Sequence, residues 1–410
     1  MALQLARAKH ASGPPRLNTM DLPARSIGIA GAGLLGRLLA WRLARAGHRV
    51  SVFDVAAGPQ PVARSQANEP YVPTAAGFTA AGMLSPLAEL DNAEPAVAAL
   101  GWRSLALWPR IAAALPQPPR LVVSGSLLLA HRTDAGAAQR VLDRLHAATA
   151  TADWQRASPP SGAQPLDAAA LRALEPAIQG PAQAWLLPGE GFIDTVAAMQ
   201  ALHDAADATG RVAWHWGARV LTLDAGAGGG ALHFHDGRAL AFDAVIDVRG
   251  AGARPDVPVR GVRGEVITLD CPGHGLTRPV RLLHPRHRVY VVPRSAREVL
   301  VGASEIESED RSPVSLKSAV ELLAAAHSVL PALAEARITR LDVNLRPALP
   351  DNRPLVRWQG RKLMINGLFR HGWLLAPALV EHALAEAPWL GLENTTDSIA
   401  ARACWESAGA

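Results

Sequence analysis

The chain has 410 residues, 49% of them hydrophobic, enough to bury the cores of two or three domains and too apolar for a disordered polymer. Its net charge of +5 is carried by arginines scattered along the whole length, with only Lys9, Lys317 and Lys362 as lysines, which argues against a nucleic-acid surface. Cys271 and Cys404 show no CxxC spacing, so neither a disulfide framework nor a metal site is expected and a reducing cytoplasm fits; the best apolar run, WLLAPALVEHALAEAPWL, is broken by prolines and charges and argues against a membrane span.

In chain order, residues 1–24 place Arg7, Lys9 and Arg16 before the first acid, Asp21, without the apolar core of a secretory signal, and are expected to be a flexible extension upstream of a start at Met20. SIGIAGAGLLGRLLAWRLARAGHRVSVFD (26–54) reads as a βαβ unit. Ile27 and Ile29 alternate into a core, Leu35, Leu38 and Leu39 recur at helical spacing, Gly47 stops the helix, and Val50, Val52 and Phe53 form a second buried strand. A small-residue loop, PTAAGFTAAGML, follows, then a helix around ALGWRSLALWPRIAAAL. Between about 120 and 190 strand-like and helix-like pieces alternate in no order the pattern resolves. GFIDTVAAMQALHDAADATG (191–210) is a helix with Asp194 as N-cap and Gly210 as stop. A DG hairpin leads into the apolar strand AVIDVRGAG; VRGEVITL, HRVYVVPR and EVLVGAS read as an antiparallel sheet, followed by a helix over 315–330.

Gly31, Gly33 and Gly36 form GxGxxG between strand and helix. The first permits the tight turn, the second lets a pyrophosphate approach the backbone, and the third lets helix and strand pack closely. Asp54, about twenty residues on at the end of the second strand, is where a carboxylate grips a ribose hydroxyl. The glycine and alanine loop ending in Met83 suits a backbone laid against a flat ring system or phosphates. Gly250, in the turn after AVIDVRGAG, is expected near the same cofactor. In NGLFRHGWLLAP (366–377) a helix beginning after Gly372 aims its free N–H groups, together with Arg370 and His371, at an electron-rich ligand. Tyr290, one of only two tyrosines, lies mid-strand, with Arg288, Val292 and Arg294 on its face. Glu305 and Glu307, after VGAS, read as an exposed acidic loop, with a place near the pocket left open, and of fourteen histidines only His371 is placed for a role.

GAGLLG with Asp54, TAAGFTAAGMLSPL, GEGFIDT, YVVPR, VGAS, NLRPALPD and FRHGWLLAPAL, in that order over nearly all of residues 26–385, resemble the FAD-dependent amine oxidases of the D-amino-acid oxidase group, and within it the glycine oxidases of thiamine synthesis. The resemblance implies an α/β, two-domain flavoprotein. A Rossmann-like FAD-binding domain is built from 25–85, 190–255 and 345–395, a substrate domain on an antiparallel sheet from 86–189 and 256–344, and 396–410 form a tail. It implies FAD held by Leu34, Leu35, Asp54, Val55, Ala81, Gly82 and Met83, with Val220 near the adenine and Leu368, Phe369, Arg370, His371, Gly372, Trp373 and Leu374 around the isoalloxazine. Arg346 and Arg370 would meet the substrate carboxylate, with Tyr290 as a pocket wall; an arginine fork can bind both carboxylate oxygens of a group taken out of water. The implied reaction is hydride transfer from the Cα of a small amino acid, glycine foremost, to flavin N5, giving an imine for thiazole building and peroxide from O2.

Two alternatives stay open: a dehydrogenase passing electrons to another acceptor, and a flavoprotein domain associated with tRNA modification. A homo-oligomer is also open. The chain departs from the group's usual wording at Leu368, where a histidine is expected, at His371, a place more often held by asparagine, and in DVRGAGARP, which replaces an alanine-rich strand end followed by tryptophan.

Overall fold

The computed structural model describes residues 23–61, 74–90, 94–149, 162–283 and 288–392; the extension expected over 1–24, except its last two residues, and the tail expected over 396–410 lie outside them. The βαβ unit forms as its pattern demands: strand Ser26–Ala30, helix Leu34–Arg45 and strand Arg49–Asp54, the two strands parallel. They are the centre of a six-stranded sheet ordered Leu355–Gln359, Lys362–Asn366, Ala244–Asp247, Ser26–Ala30, Arg49–Asp54, Val212–Trp216, parallel except for the outermost hairpin 355–366. Period-two alternation sends Ile27, Ile29 and Val52 into a core with the helices, including Leu38 and Leu39 and, from later helices, Met199 and Leu379. The alternate residues Ala30, Phe53 and Val245 pack against a three-stranded meander, Val220–Ala225, Gly230–Phe234 and Ala239–Phe242. Both faces of the sheet are therefore covered, as parallel strands require.

A second, eight-stranded sheet runs Arg337–Ala348, Arg260–Asp270, Glu298–Gly302, Arg288–Pro293, Val280–Leu283, Ser126–Ala130, Gln183–Leu187, Gln164–Leu166. It is antiparallel except where Val280–Leu283 meets Ser126–Ala130. One face, with Val289, Val291, Val299 and Val301, is closed by helix Leu316–His327. The pieces between 120 and 190 resolve into strands that extend this sheet and into helices Ala135–Thr149 and Ala168–Leu174. Their partners are distant in sequence, which local pattern does not show.

Helix Thr195–Asp207 starts on Asp194, whose carboxylate accepts from the N–H groups of Val196 and Ala197, and Gly210 follows with φ +65°. Helix Gly372–Ala385 contains Pro377, which has no N–H for the carbonyl of Trp373 four residues earlier. That carbonyl accepts instead from Trp108 Nε1 at 2.9 Å, and the two indoles stack with centroids 5.4 Å apart. The long helix Pro95–Ala113 thus carries the start of helix Gly372–Ala385, with Ser104 Oγ accepting from Ala378 N at 3.1 Å. Among the described residues no helix is long and apolar enough to cross a membrane.

Candidate active site

Gly31 adopts φ +108° and donates its N–H to Phe53 O at 2.8 Å; a Cβ there would meet Val248 O at 2.6 Å. Gly36 packs so closely that an added Cβ would lie 1.9 Å from Gly31 O. Gly33 differs, since its nearest neighbour in that direction is Ala75 Cβ at 3.6 Å, an ordinary contact, so no clash forbids a side chain there. As N-cap without a side chain, Gly33 leaves the first N–H groups of helix Leu34–Arg45 free for an anion. Asp54 is held at its strand end by two backbone donors, Ala32 N to Oδ2 at 2.6 Å and Ala56 N to Oδ1 at 2.8 Å.

From these strand ends a cavity of about 970 Å³ runs to the inner face of the eight-stranded sheet, at the upper end of the ~300–1,000 Å³ usual for small-molecule sites. Every residue expected at the cofactor lines it except Gly36, which lies behind the turn; Tyr290 and Arg346 line it too. The loop 74–84 is fastened across it. Asn344 Nδ2 donates to Thr74 O and Thr79 Oγ1 (3.1 and 3.0 Å), Trp373 Nε1 to Gly77 O (3.0 Å), and Arg294 Nη2 to Ala80 O (2.7 Å). Gly82 is at φ +73°, where a Cβ would meet Ile193 O at 2.1 Å, so the loop can pass strand Gly191–Ile193 only with glycine. Arg249, in the stretch DVRGAG, closes the strand end by pairing with Asp247 and Asp256 and donating to the carbonyls of Val220 and Leu221. The first i→i−4 bond of helix Gly372–Ala385 is Leu375 N to His371 O at 2.8 Å, so the N–H groups of Gly372, Trp373 and Leu374 open the helix on the cavity.

The two arginines expected at the substrate share this cavity but differ in company. Arg346 Nη1 donates to Ser304 O (3.0 Å) and Arg263 O (3.3 Å), and its guanidinium lies over Gly264, where a Cβ would come within 2.6 Å of it. No carboxylate pairs with it among the described residues. Tyr290, on the same sheet face as Val292, lies near enough to feel its charge; burial pushes the Tyr290 phenol up, and Arg346 opposes this. Arg370, by contrast, is engaged: Nη2 pairs with Glu89 Oε2 at 2.9 Å and Nη1 with Glu305 Oε2 at 3.3 Å. Glu305 lies in an exposed loop, as expected, and also lines the cavity, whereas Glu307 pairs with Arg260. Arg294 reaches Ala80 O, and the Arg288 side chain lies outside the described residues.

Sequence reasoning missed Glu89, Arg281 and Glu190. Glu89 ends the four-residue helix Pro86–Glu89, and Arg281 Nη2 pairs with its Oε1 at 2.6 Å. Arg281 is the cross-strand partner of Tyr290 and lines the cavity. Burial opposes ionisation of Glu89, but the Arg370 and Arg281 guanidiniums overrule it and hold the carboxyl below the usual carboxylate range. His371 Nδ1 lies 3.3 Å from Glu89 Oε2 without a hydrogen bond; burial drives the ring down to about 4, so it is neutral at pH 7. The one legible signal was Arg281 alternating with the buried Val280 and Leu282, a cation on a strand face rather than in a loop.

Behind Glu89, Glu190 is fully buried, accepting from Ala88 N at 2.8 Å and from Ser126 Oγ at 2.5 Å. Burial pushes it up from 4.5 to about 7. Between those values the folded chain holds a proton that the unfolded chain has released, so the stability from this group is complete below the lower value and lost as pH rises through about 7. Glu190→Gln is expected to gain on the parent by a few kcal/mol, to order of magnitude, as pH rises across that window in urea titrations. A difference between the two that does not change with pH would show that Glu190 is already ionised.

Glycines shaped for a pyrophosphate, a carboxylate fixed at the second strand end and a helix opening on the far end of one cavity fit FAD, and together they define a flavoprotein oxidoreductase. The chain belongs to the FAD-dependent oxidoreductase family that includes D-amino-acid oxidase; the family model matches residues 26–386. It is 37% identical over 358 residues to a thiamine biosynthesis oxidoreductase, ThiO, of Rhizobium etli, covering 86% of this chain and 93% of that one. Glycine oxidase of Geobacillus kaustophilus is 25% identical over 371 residues, 86% of this chain and 89% of the relative. The crystal structure of glycine oxidase from that organism superposes with a TM-score of 0.73 at 24% identity, covering 91% of this chain and 96% of that one, which shows a common fold. The FAD-dependent class expected from the motifs is thus borne out.

Proposed function

We propose that the protein oxidises a small α-amino acid, glycine foremost, and that the imine formed serves thiazole construction. The observation that carries this reading is Arg346, a guanidinium facing a cofactor cavity with only carbonyl partners among the described residues. A carboxylate leaving water needs such a partner, because an unpaired buried charge is costly. The substrate carboxylate sits on the remaining N–H groups of Arg346, with the Tyr290 hydroxyl as a further donor. Strand pairing between Arg260–Asp270 and Arg337–Ala348 fixes the Arg346 backbone, so the anchor is set before substrate arrives.

Arg370 is held by Glu89 and Glu305 and adds positive potential to the end of the cavity where Gly372–Ala385 begins. Bound FAD supplies the acceptor for the hydrogen and electron pair of the substrate's Cα–H bond. The substrate enters as the neutral amine, so no side chain has to take a proton. Trp373 and Leu374, both buried against helix Pro95–Ala113 and its neighbours, keep water from this end.

The similarity to relatives called glycine oxidase and ThiO supports the substrate class. The test is a panel of glycine, sarcosine, D-alanine and L-alanine on the yellow protein in air, reading peroxide. Substrate-dependent peroxide with glycine or sarcosine is expected. Bleaching under argon without peroxide in air would transfer the activity to another electron acceptor, and no bleaching by any α-amino acid would end the reading.

A further inference from the structure

The charged groups at the substrate end of the cavity show an imbalance of one. Among the described residues, the charges acting on Arg346 and on the uncharged His371 are Arg281, Arg370, Glu89 and Glu305, while Arg254, paired with Glu309, and Arg311 also line the cavity. Three guanidiniums against two carboxylates leave a single positive charge, and it falls on Arg346. The distribution depends on Glu89, which engages Arg281 through Oε1 (2.6 Å) and Arg370 through Oε2 (2.9 Å). Each of its oxygens takes one arginine that would otherwise face the cavity. Arg281 still has an Nε that is buried without a hydrogen-bond partner, so its electrostatic demand is only partly met. Glu305, which takes the other end of Arg370, is far less enclosed, its side chain 44% exposed against 9% for Glu89.

We infer that Glu89 is a specificity determinant which, by occupying Arg281 and Arg370, restricts the cavity to substrates bearing one carboxylate and rejects dicarboxylic amino acids. This rests on the reading of the cavity as an amino-acid site. Coulomb's law supplies the reason. A second substrate carboxylate near Glu89 would meet a fixed like charge whose two counter-ions are already committed, in a site where screening by water is weak. With Glu89 neutralised, Arg281 loses its carboxylate partner and Arg370 keeps only the more exposed Glu305, so the cavity gains the charge that a dianion matches. Glu89 acts in this account by holding two arginines and by repulsion, not by chemistry at Cα.

The test counts charges by binding rather than turnover, so its failure is separate from the failure of the proposed reaction. Holoprotein is titrated with acetate and with malonate or succinate, following the visible absorbance of the bound flavin, at about pH 6.5. Glu190 lies behind Arg281 and could ionise once Glu89 is gone, so the comparison is made in a Glu190→Gln background. That background is expected to bind acetate at least about 10-fold more tightly than either dianion, and adding Glu89→Gln to shift the ratio about 100-fold toward the dianions. Adding Arg281→Met to the pair restores one net charge and returns the preference to acetate.

A ratio moved by less than about 3-fold on Glu89→Gln, or equal binding of acetate and malonate before it, overturns the inference. If the Glu89→Gln protein does not retain flavin, Arg281→Met alone decides. It leaves the site without net charge, and acetate should weaken by about 10-fold; unchanged acetate binding overturns the inference as well.

Discussion

Arg346→Ala raises KM for the amino-acid substrate by about 100-fold or more while the purified protein remains yellow. The expectation follows from position. Arg346 lies near the end of strand Arg337–Ala348, its guanidinium packed over Gly264 and steadied by the carbonyls of Ser304 and Arg263. Removing one partner of a desolvated charge pair costs about 2–5 kcal/mol, and about 3 kcal/mol already corresponds to roughly 100-fold. Arg346→Lys recovers little, because an ammonium cannot present the parallel N–H pair. Steady-state kinetics beside the flavin absorbance make the check. Loss of flavin, or an unchanged KM, would remove Arg346 from the substrate and leave Arg370, which two glutamates already hold, as a poorer candidate.

Gly36→Ala and Gly33→Ala, two equal additions three residues apart, should fail in different ways. At Gly36 the new methyl would sit 1.9 Å from the carbonyl oxygen of Gly31, and neither partner is a flexible side chain that can turn aside. Helix Leu34–Arg45 must move off its strand, an overpacking cost of about 1–3 kcal/mol or more, and the protein is expected to be poorly soluble or colourless. At Gly33 the nearest atom is Ala75 Cβ at 3.6 Å, ordinary contact, so the stripped protein should melt nearly as the parent does. Its methyl instead enters the space that the pyrophosphate approaches, and FAD affinity is expected to fall on the order of 10- to 100-fold. Thermal melts of stripped protein and flavin titrations separate the two. Equal behaviour of the two variants would mean that the turn does not divide packing from phosphate approach in this way.

Much of the frame was legible because its determinants are local. The GxGxxG turn, the alternation of Ile27 and Ile29, the Asp194 cap and the helix beginning at Gly372 each depend on neighbours a few residues away, and each forms as read. The strands at 126–130 and 183–187 escaped because their partners lie far along the chain. Glu305 lies in an exposed loop as read, but its partner was hidden for a related reason. Its surroundings in sequence are polar and loop-like, yet the chain turns it onto Arg370, 65 residues away.

The cavity's charge pattern was the least legible part. Glu89 stands in an apolar stretch that offers no cue to its role, and Arg281 lies 192 residues from it. Whether an arginine greets a ligand or a neighbouring acid depends on which strands bring which side chains within about 3 Å, since charge-assisted bonds act only at that range.

The sequence alone therefore determined that a dinucleotide is bound and where backbone must approach it, because glycines at fixed spacing are a local steric requirement, and its resemblance to a known family singled out FAD. The tertiary structure decided that Arg370 is spoken for, that Arg346 has no carboxylate partner among the described residues, and that Glu89 joins Arg370 to Arg281. Electrostatic partnership depends on distance in space, which a linear order of residues does not contain.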